Sequence, residues 1–226
     1  MFFSCIIPTY NEWPRIGKVL ETLLECREIE EIIIVNDGST DTTREIIDSF
    51  THIKLTKIHL EKNSGKTNAI FTGIQQAQWD YIVTIDSDLL NLTPEHITLL
   101  IEPVRTWTAQ VTLSIRENSL SLYKFFGTDF VSGERVIPRT IFEDEPYYSS
   151  WPGFWLEVKM NQKIIEKKLT IKNVYLPLVI TPRKSLKYGF YRGTIADLRM
   201  TMEILSVISP LKIIHQLWYF SRFRKQ

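Results

Sequence analysis

The residues in this sequence best suited to chemistry are two aspartates, Asp86 and Asp88, at the end of the run Tyr81-Ile82-Val83-Thr84-Ile85. A short apolar run of this kind reads as a buried strand of a parallel sheet. Ligands of open α/β sheets sit beyond the carboxyl ends of such strands. Both carboxylates would therefore arrive where a ligand is expected. Hard oxygen donors suit Mg²⁺ or Mn²⁺, and one or two carboxylates plus substrate phosphates make a usual Mg²⁺ site. Taken alone, the pair reads better as caps for the helix that Thr93-Pro94-Glu95 opens. The rest of the chain changes that balance.

The elements that must position these residues follow a regular order. Phe2 to Ile7, Glu31 to Val35, Ile53 to Leu60 and the Tyr81 run read as strands, the third of them edge-like. Between them fall a helix from about Pro14, with Ile16, Val19, Leu20, Leu23 and Leu24 on one face, a short one through Ile46, Ile47 and Phe50, and one from Thr67 to Ala77. Strand and helix alternate four times in the first hundred residues. That predicts an α/β fold with a mostly parallel, doubly wound sheet. Three strands then end in polar or acidic loops on one rim: Asn11 with Glu12, Asp37, and Asp86 with Asp88. One such loop is ordinary turn chemistry, whereas three on one rim favour a site.

After Pro94 the pattern is less regular. Val111 to Ile115 reads as a strand ending at Arg116, Gly127 to Arg135 as a loop, Gly153 to Leu169 as a helix, and Ile171 to Ile180 as a last strand interrupted at Pro177. A second acidic cluster is Glu143-Asp144-Glu145. The expected organisation is a catalytic domain over 1–182 and a basic tail over 183–226.

Composition narrows the function classes. The chain has 226 residues, 44% hydrophobic and 23% charged, with a formal net charge of +1. No overall field argues for nucleic acid. Cys5 and Cys26 are too few for a disulfide framework and suit a reducing compartment. The four histidines, His52, His59, His96 and His215, share no metal-ligand spacing. Met1-Phe2-Phe3-Ser4 lacks the start of a signal peptide, and no run approaches the ~20 apolar residues of a spanning helix. The expected location is the cytoplasm, peripheral at the inner face of the membrane if the tail docks there.

Four motifs, in order and at the right spacing, resemble family 2 glycosyltransferases. They are Ile6-Ile7-Pro8-Thr9-Tyr10-Asn11-Glu12, Ile34-Val35-Asn36-Asp37-Gly38-Ser39-Thr40-Asp41, Asn63-Ser64-Gly65-Lys66 and Asp86-Ser87-Asp88. The resemblance implies a glycosyltransferase A-type fold with a Rossmann-like nucleotide-binding half. It also implies sugar transfer from a nucleoside-diphosphate sugar with inversion at the anomeric carbon. By it, Pro8, Tyr10 and Glu12 hold the nucleoside, Asp37 lies on the base, Lys66 lies near the nucleotide, and Asp86 and Asp88 flank the metal. The second half is similar to the polyprenol-phosphate sugar synthases through Ser114-Ile115-Arg116, Ser132-Gly133 with Arg135, Gly153-Phe154-Trp155-Leu156-Glu157, and Leu176-Pro177 on to Arg183. In that branch matching arginines hold the acceptor phosphate and the donor diphosphate. The branch often has a glutamine two residues after the second metal aspartate. Here that position is Leu90, with Asn91 next.

The implied chemistry assigns further roles. A divalent cation would take up the charge of the departing diphosphate, and Arg183 would neutralise the same charge. A phosphate acceptor is largely ionised at neutral pH, because its second pKa is about 6. It needs cations rather than a base, and Arg116, Arg135 and Arg139 are the candidates. A hydroxyl acceptor would need a base, with Asp144 or Glu143 in that role. Residues 183–226 hold nine Lys and Arg against two acids. Ile213, Ile214, Leu217, Trp218 and Phe220 follow one another on a broad apolar face there, as in an interfacial helix. Packing on the chain's own domain is the competing account. The expected partners are a nucleoside-diphosphate sugar, a lipid-linked or glycan acceptor and a membrane surface, with no nucleic acid.

Overall fold

The computed structural model describes residues 1–143, 155–182 and 210–222. Its centre is a seven-stranded sheet of order β3-β2-β1-β4-β6-β5-β7. The strands are β1 (Phe3–Thr9), β2 (Glu31–Asn36), β3 (Leu55–His59), β4 (Tyr81–Thr84), β5 (Val111–Arg116), β6 (Arg135–Pro138) and β7 (Ile171–Leu176). All adjacent pairs are parallel except those of β6, which runs antiparallel to both β4 and β5. β3 is the edge strand that its alternating sequence predicts.

The strands are apolar because both faces of the sheet are covered. Helices α1 (Ile16–Glu25), α2 (Thr43–Ser49) and α4 (Pro94–Arg105) follow β1, β2 and β4. Leu20, Leu23, Ile97, Leu100 and Ile101 bury one face of the sheet against Ile7, Ile32 and Val83. Helices α3 (Lys66–Gln76), α6 (Trp155–Glu166) and the C-terminal α7 (Pro210–Ser221) belong to the other face. There Ala69, Ile70, Leu156, Ile164 and Phe220 meet Ile6, Ile33, Ile82 and Ile137. A short helix, α5 (Ser121–Phe126), follows β5 and buries none of its side chains.

Strand direction decides where the site lies. Thr9 pairs with Asn36, Thr84 with Ile6 and with Arg135, and Arg116 with Leu176. The carboxyl ends of β1, β2, β4, β5 and β7 therefore share one rim with the entry to β6. Asp86 and Asp88 leave β4 on that rim. They are not needed as helix caps: α4 is capped by Thr93, whose amide donates to His96 Nδ1 at 3.1 Å, with Pro94 in the first turn.

Candidate active site

The loops after β1, β2 and β3 are tied into one wall. The Asp37 amide donates to the Thr9 carbonyl at 2.8 Å. Asn11 takes the left-handed conformation (φ 52°), which lets its Oδ1 accept from the Thr40 amide at 2.9 Å. Glu12 is fixed by Arg15, whose Nε donates to Oε2 at 2.8 Å. The buried Asp37 carboxylate accepts from the Ser64 amide, the Ser64 hydroxyl and the Gly65 amide, all at 2.8 Å. Asp37 thus holds the loop that opens α3. Gly38 beside it sits at φ +66°, and a Cβ there would fall 2.5 Å from the Lys62 carbonyl carbon. Only glycine lets the two loops approach so closely.

This wall encloses a cavity of about 430 Å³. All seven residues expected at the donor and metal in the described part of the chain line it: Pro8, Tyr10, Glu12, Asp37, Lys66, Asp86 and Asp88. The eighth, Arg183, lies outside the described residues, as does Asp144.

Around Asp86 stands a network of charged side chains. Lys66 Nζ lies 2.8 Å from Asp86 Oδ1 and 3.1 Å from Glu157 Oε1. Burial alone would lower the Lys66 ammonium, but Asp86 and Glu157 overcome it and hold the group well above its ordinary value. Burial likewise pushes the Asp86 carboxyl upward, and Lys66 and Arg116 reverse that to a net lowering. Arg116 faces three carboxylates: Glu134 at 3.1 Å, Asp129 at 3.7 Å and Asp86 at 3.9 Å. Its Nε meets no acceptor among the described residues, and neither Asp129 Oδ1 nor Glu157 Oε2 meets a donor there. Burial outweighs Arg116 at Asp129 and raises that carboxyl.

Two arginines expected at the acceptor are elsewhere. Arg135 is fully buried and spends its donors inside the protein, on the Ser132 and Phe130 carbonyls at 2.6 Å each and on Asn161 Oδ1 at 2.7 Å. Burial lowers its pKa to about 10 despite the acids around it. It holds the 129–135 segment in place and cannot reach a phosphate without unpacking the core. Arg139 donates to the Ala77 carbonyl at 2.6 Å, and its neighbour Pro138 pairs with Tyr81 at the start of β4, the end of the sheet away from Asp86. Of the three arginines, Arg116 alone borders the site. Leu90 and Asn91 are also engaged: Leu90 bridges to Ile180, and Asn91 Nδ2 donates to the Leu178 carbonyl at 3.1 Å.

Sequence reading missed Asp129 and Glu134 and left Glu157 undecided. The three carboxylates become partners of Arg116 and Lys66 only because the antiparallel β6 and the helix α6 bring them to the rim. The one local signal is Ser132-Gly133-Glu134, a charged residue that would be idle in a loop.

The model of the glycosyl transferase family 2 matches residues 4–169. This chain belongs to glycosyl transferase family 2. Over 105 residues it is 36% identical to the undecaprenyl-phosphate 4-deoxy-4-formamido-L-arabinose transferase of Proteus mirabilis, covering 43% of this chain and 32% of that protein. Over 87 residues it is 41% identical to the poly-β-1,6-N-acetyl-D-glucosamine synthase of Staphylococcus epidermidis, covering 38% of this chain and 21% of that one. The alignments thus span a third or less of these relatives. In fold the chain resembles glucosyl-3-phosphoglycerate synthase from Mycobacterium tuberculosis, solved with Mn²⁺, UDP and glucosyl-3-phosphoglycerate. The TM-score is 0.71 at 21% identity, over 91% of this chain and 79% of that one.

The residues of this family 2 site fit a divalent cation. Asp86 and Asp88 bring two hard carboxylate donors to the cavity wall, and a divalent ion there would take over from Lys66 at Asp86. Among the described residues no group of three or more His, Cys, Asp or Glu side chains is arranged to hold a metal by itself. An ion here would take one or both aspartates and complete its shell from phosphate oxygens and water, the usual pattern for Mg²⁺.

Proposed function

We propose that this chain is the catalytic part of a metal-dependent, inverting glycosyltransferase that moves a sugar from a nucleoside-diphosphate sugar to a polyprenyl phosphate at a membrane surface. The observation that carries the reading is the convergence of Pro8, Tyr10, Glu12, Asp37, Lys66, Asp86 and Asp88 on one cavity. The bound Mg²⁺ or Mn²⁺ would act as a Lewis acid on the departing diphosphate. Asp86 and Asp88 would hold it. Asp37 keeps the Ser64–Gly65 turn in shape for the nucleotide, and Lys66 brings an ammonium to the same end of the cavity. Arg116 borders Asp86 from the β5 side and is the cation available to an acceptor phosphate.

The acceptor class is supported by the relatives named for undecaprenyl phosphate. The membrane is supported by α7. Its inward face seats Phe220 and Gln216, both buried, while Leu211, Ile214 and Trp218 point outward and are 78%, 61% and 56% exposed. Arg222 lies over the Trp218 ring at 4.5 Å. An apolar stripe edged by basic residues suits an anionic lipid interface. No described helix is long and apolar enough to cross a membrane.

The test is calorimetric binding of UDP-, GDP- and dTDP-sugars with Mn²⁺, then transfer assays with the best binder. A phosphorylated polyprenol and a hydroxyl-bearing glycan are offered in parallel. Transfer to the lipid phosphate supports the reading. Transfer to the glycan alone makes this a glycan-extending enzyme with a carboxylate base. No nucleotide binding overturns the donor assignment.

A further inference from the structure

We infer that Gly133 is a positioning residue for the metal aspartate: its bare Cα forms the seat on which the Asp86 carboxylate rests, and Thr84 locks that seat. The inference rests on Asp86 being a metal ligand, as proposed above. A Cβ at Gly133 would lie 2.6 Å from both Asp86 carboxylate oxygens and 2.8 Å from Cγ. Both oxygens are nearer than Cγ, so that position lies on the oxygen side of the carboxylate, pressed against both of its oxygens at once. A hydrogen fits there and a methyl group does not, since two such heavy atoms need ~3.5 Å.

The collision would have to be relieved at Asp86, because Gly133 has nowhere to go. Its carbonyl accepts from the buried Thr84 hydroxyl at 2.6 Å. Thr84 is the last residue of β4, two before Asp86, so strand and seat are tied together. On one side, the Ser132 carbonyl accepts from Arg135 Nε at 2.6 Å, and its amide donates to the Asp129 carbonyl at 2.9 Å. On the other, Glu134 accepts from the Ser114 and Ser132 hydroxyls at 2.7 and 2.8 Å, and its own carbonyl accepts from the Ser114 amide at 3.0 Å. All these groups are buried. The Asp86 carboxylate is thus paired with Lys66 and Arg116 and packed against Gly133. This gives the buried Arg135 its purpose: it stiffens the segment that carries the seat.

The experiment is Mn²⁺ binding followed by electron paramagnetic resonance of the free ion. It runs on the full chain with UDP present to supply the phosphate oxygens, beside metal-free nucleoside binding and thermal melting. Gly133→Ala is expected to weaken Mn²⁺ binding by about 10–100-fold, the range for lost support of a metal ligand, with nucleoside binding unchanged. Thr84→Val removes the lock at nearly constant volume and is expected to weaken Mn²⁺ several-fold. Thr84→Ser keeps the hydroxyl and is expected to restore the wild-type value. If Gly133→Ala does not fold, the Thr84 pair decides alone. Mn²⁺ binding of wild-type strength in Gly133→Ala, or in Thr84→Val where the first variant is unfolded, overturns the inference. Wild-type protein that binds no Mn²⁺ overturns the metal reading and this inference with it. If only the acceptor assay fails, the inference stands.

Discussion

On the β1–β2 side of Asp86, the carboxylates at the rim are fixed by neighbours in the adjoining loops. Glu12 is held by Arg15, three residues on, and Asp37 by the Ser64–Gly65 turn across a parallel pair of strands. On the β5–β6 side, the polar groups come from scattered segments and satisfy one another out of water: Arg116 pairs with Asp129 and Glu134, and Arg135 donates to Asn161. The first arrangement leaves an open cavity whose walls are shaped by local turns. The second forms a stiff buttress with one edge, Arg116, facing that cavity. A donor half built from short motifs can be recognised motif by motif. The other half cannot, because no residue there has its role without the packing.

The aspartates at the junction of the two halves should show the largest effect. Asp88→Asn keeps the size of the side chain and removes a charge. It is expected to cut transfer by about 10³-fold, since a metal's contribution is several kcal/mol, with melting close to wild type. Asp86→Asn should lose as much activity and also some stability, because Lys66 and Arg116 lose their shared partner. EDTA should reproduce the loss in the wild-type protein. Undiminished transfer in both variants and in chelator would show that the junction carries no metal.

The buttress is tested next, by setting Arg135 against Arg116. Arg135→Ala strands buried acceptors and acids and is expected to cost about 3–5 kcal/mol, read as a lower urea midpoint. Arg116→Ala should cost less stability, because that side chain keeps some exposure. It should raise the phosphate-acceptor requirement by about ten- to a hundredfold, the worth of one charge-assisted bond. A stable Arg135→Ala with a selective acceptor defect would reverse the two assignments.

The same contrast explains what the sequence discloses. The alternation of apolar runs with helices foretells the parallel sheet, the edge position of β3 and the rim that carries Asp37, Asp86 and Asp88. β6 escapes detection because it has only four residues, begins with a charge and ends with proline. Loops begin and end in the same way. α5 escapes because Leu122 and Phe125 are exposed, so no core-facing period marks it. Arg135 reads as an acceptor ligand through the resemblance to the polyprenol-phosphate sugar synthases, and full burial of an arginine is rare enough that nothing in the sequence argues against it. Two of its partners are carbonyls of its own loop, Ser132 and Phe130, which no side-chain pattern reveals, and the third, Asn161, lies on a helix 26 residues away.

A smaller effect should follow from loosening the donor wall. Asp37→Ala removes the acceptor of three hydrogen bonds to the Ser64–Gly65 turn. Nucleoside-diphosphate binding is expected to fall about tenfold or more, each charged bond being worth about 1.5–3 kcal/mol at most. Asp37→Asn, with one acceptor oxygen, should be intermediate. Calorimetric titration beside urea denaturation separates the two consequences. A drop in stability with unchanged binding would make Asp37 a fold residue only and would erase the contrast between the two halves on that wall.

The smallest effect on binding concerns the outward face of α7, where the two faces of one helix repeat the contrast between packing and exposure. Phe220 is buried with Ile164 and Leu156, and Asn173 Nδ2 donates to its carbonyl at 3.2 Å. Gln216 accepts from Asn161 at 3.2 Å, the same Asn161 that holds Arg135. Deleting the helix would therefore strip the core as well as any lipid contact, so point changes on each face are the cleaner probe. Phe220→Ala should cost about 3–5 kcal/mol of stability without a selective effect on vesicles. Trp218→Glu sits on the outward face, where the ring has no core to leave. It should lower binding to vesicles rich in anionic lipid about fivefold or more, since adding an acid and removing a ring acts against a term of about 1 kcal/mol per charge. Donor binding in solution should not change. If Trp218→Glu binds vesicles like the wild type, the outward stripe is ordinary exposed surface. The acceptor would then have to reach Arg116 without help from this helix.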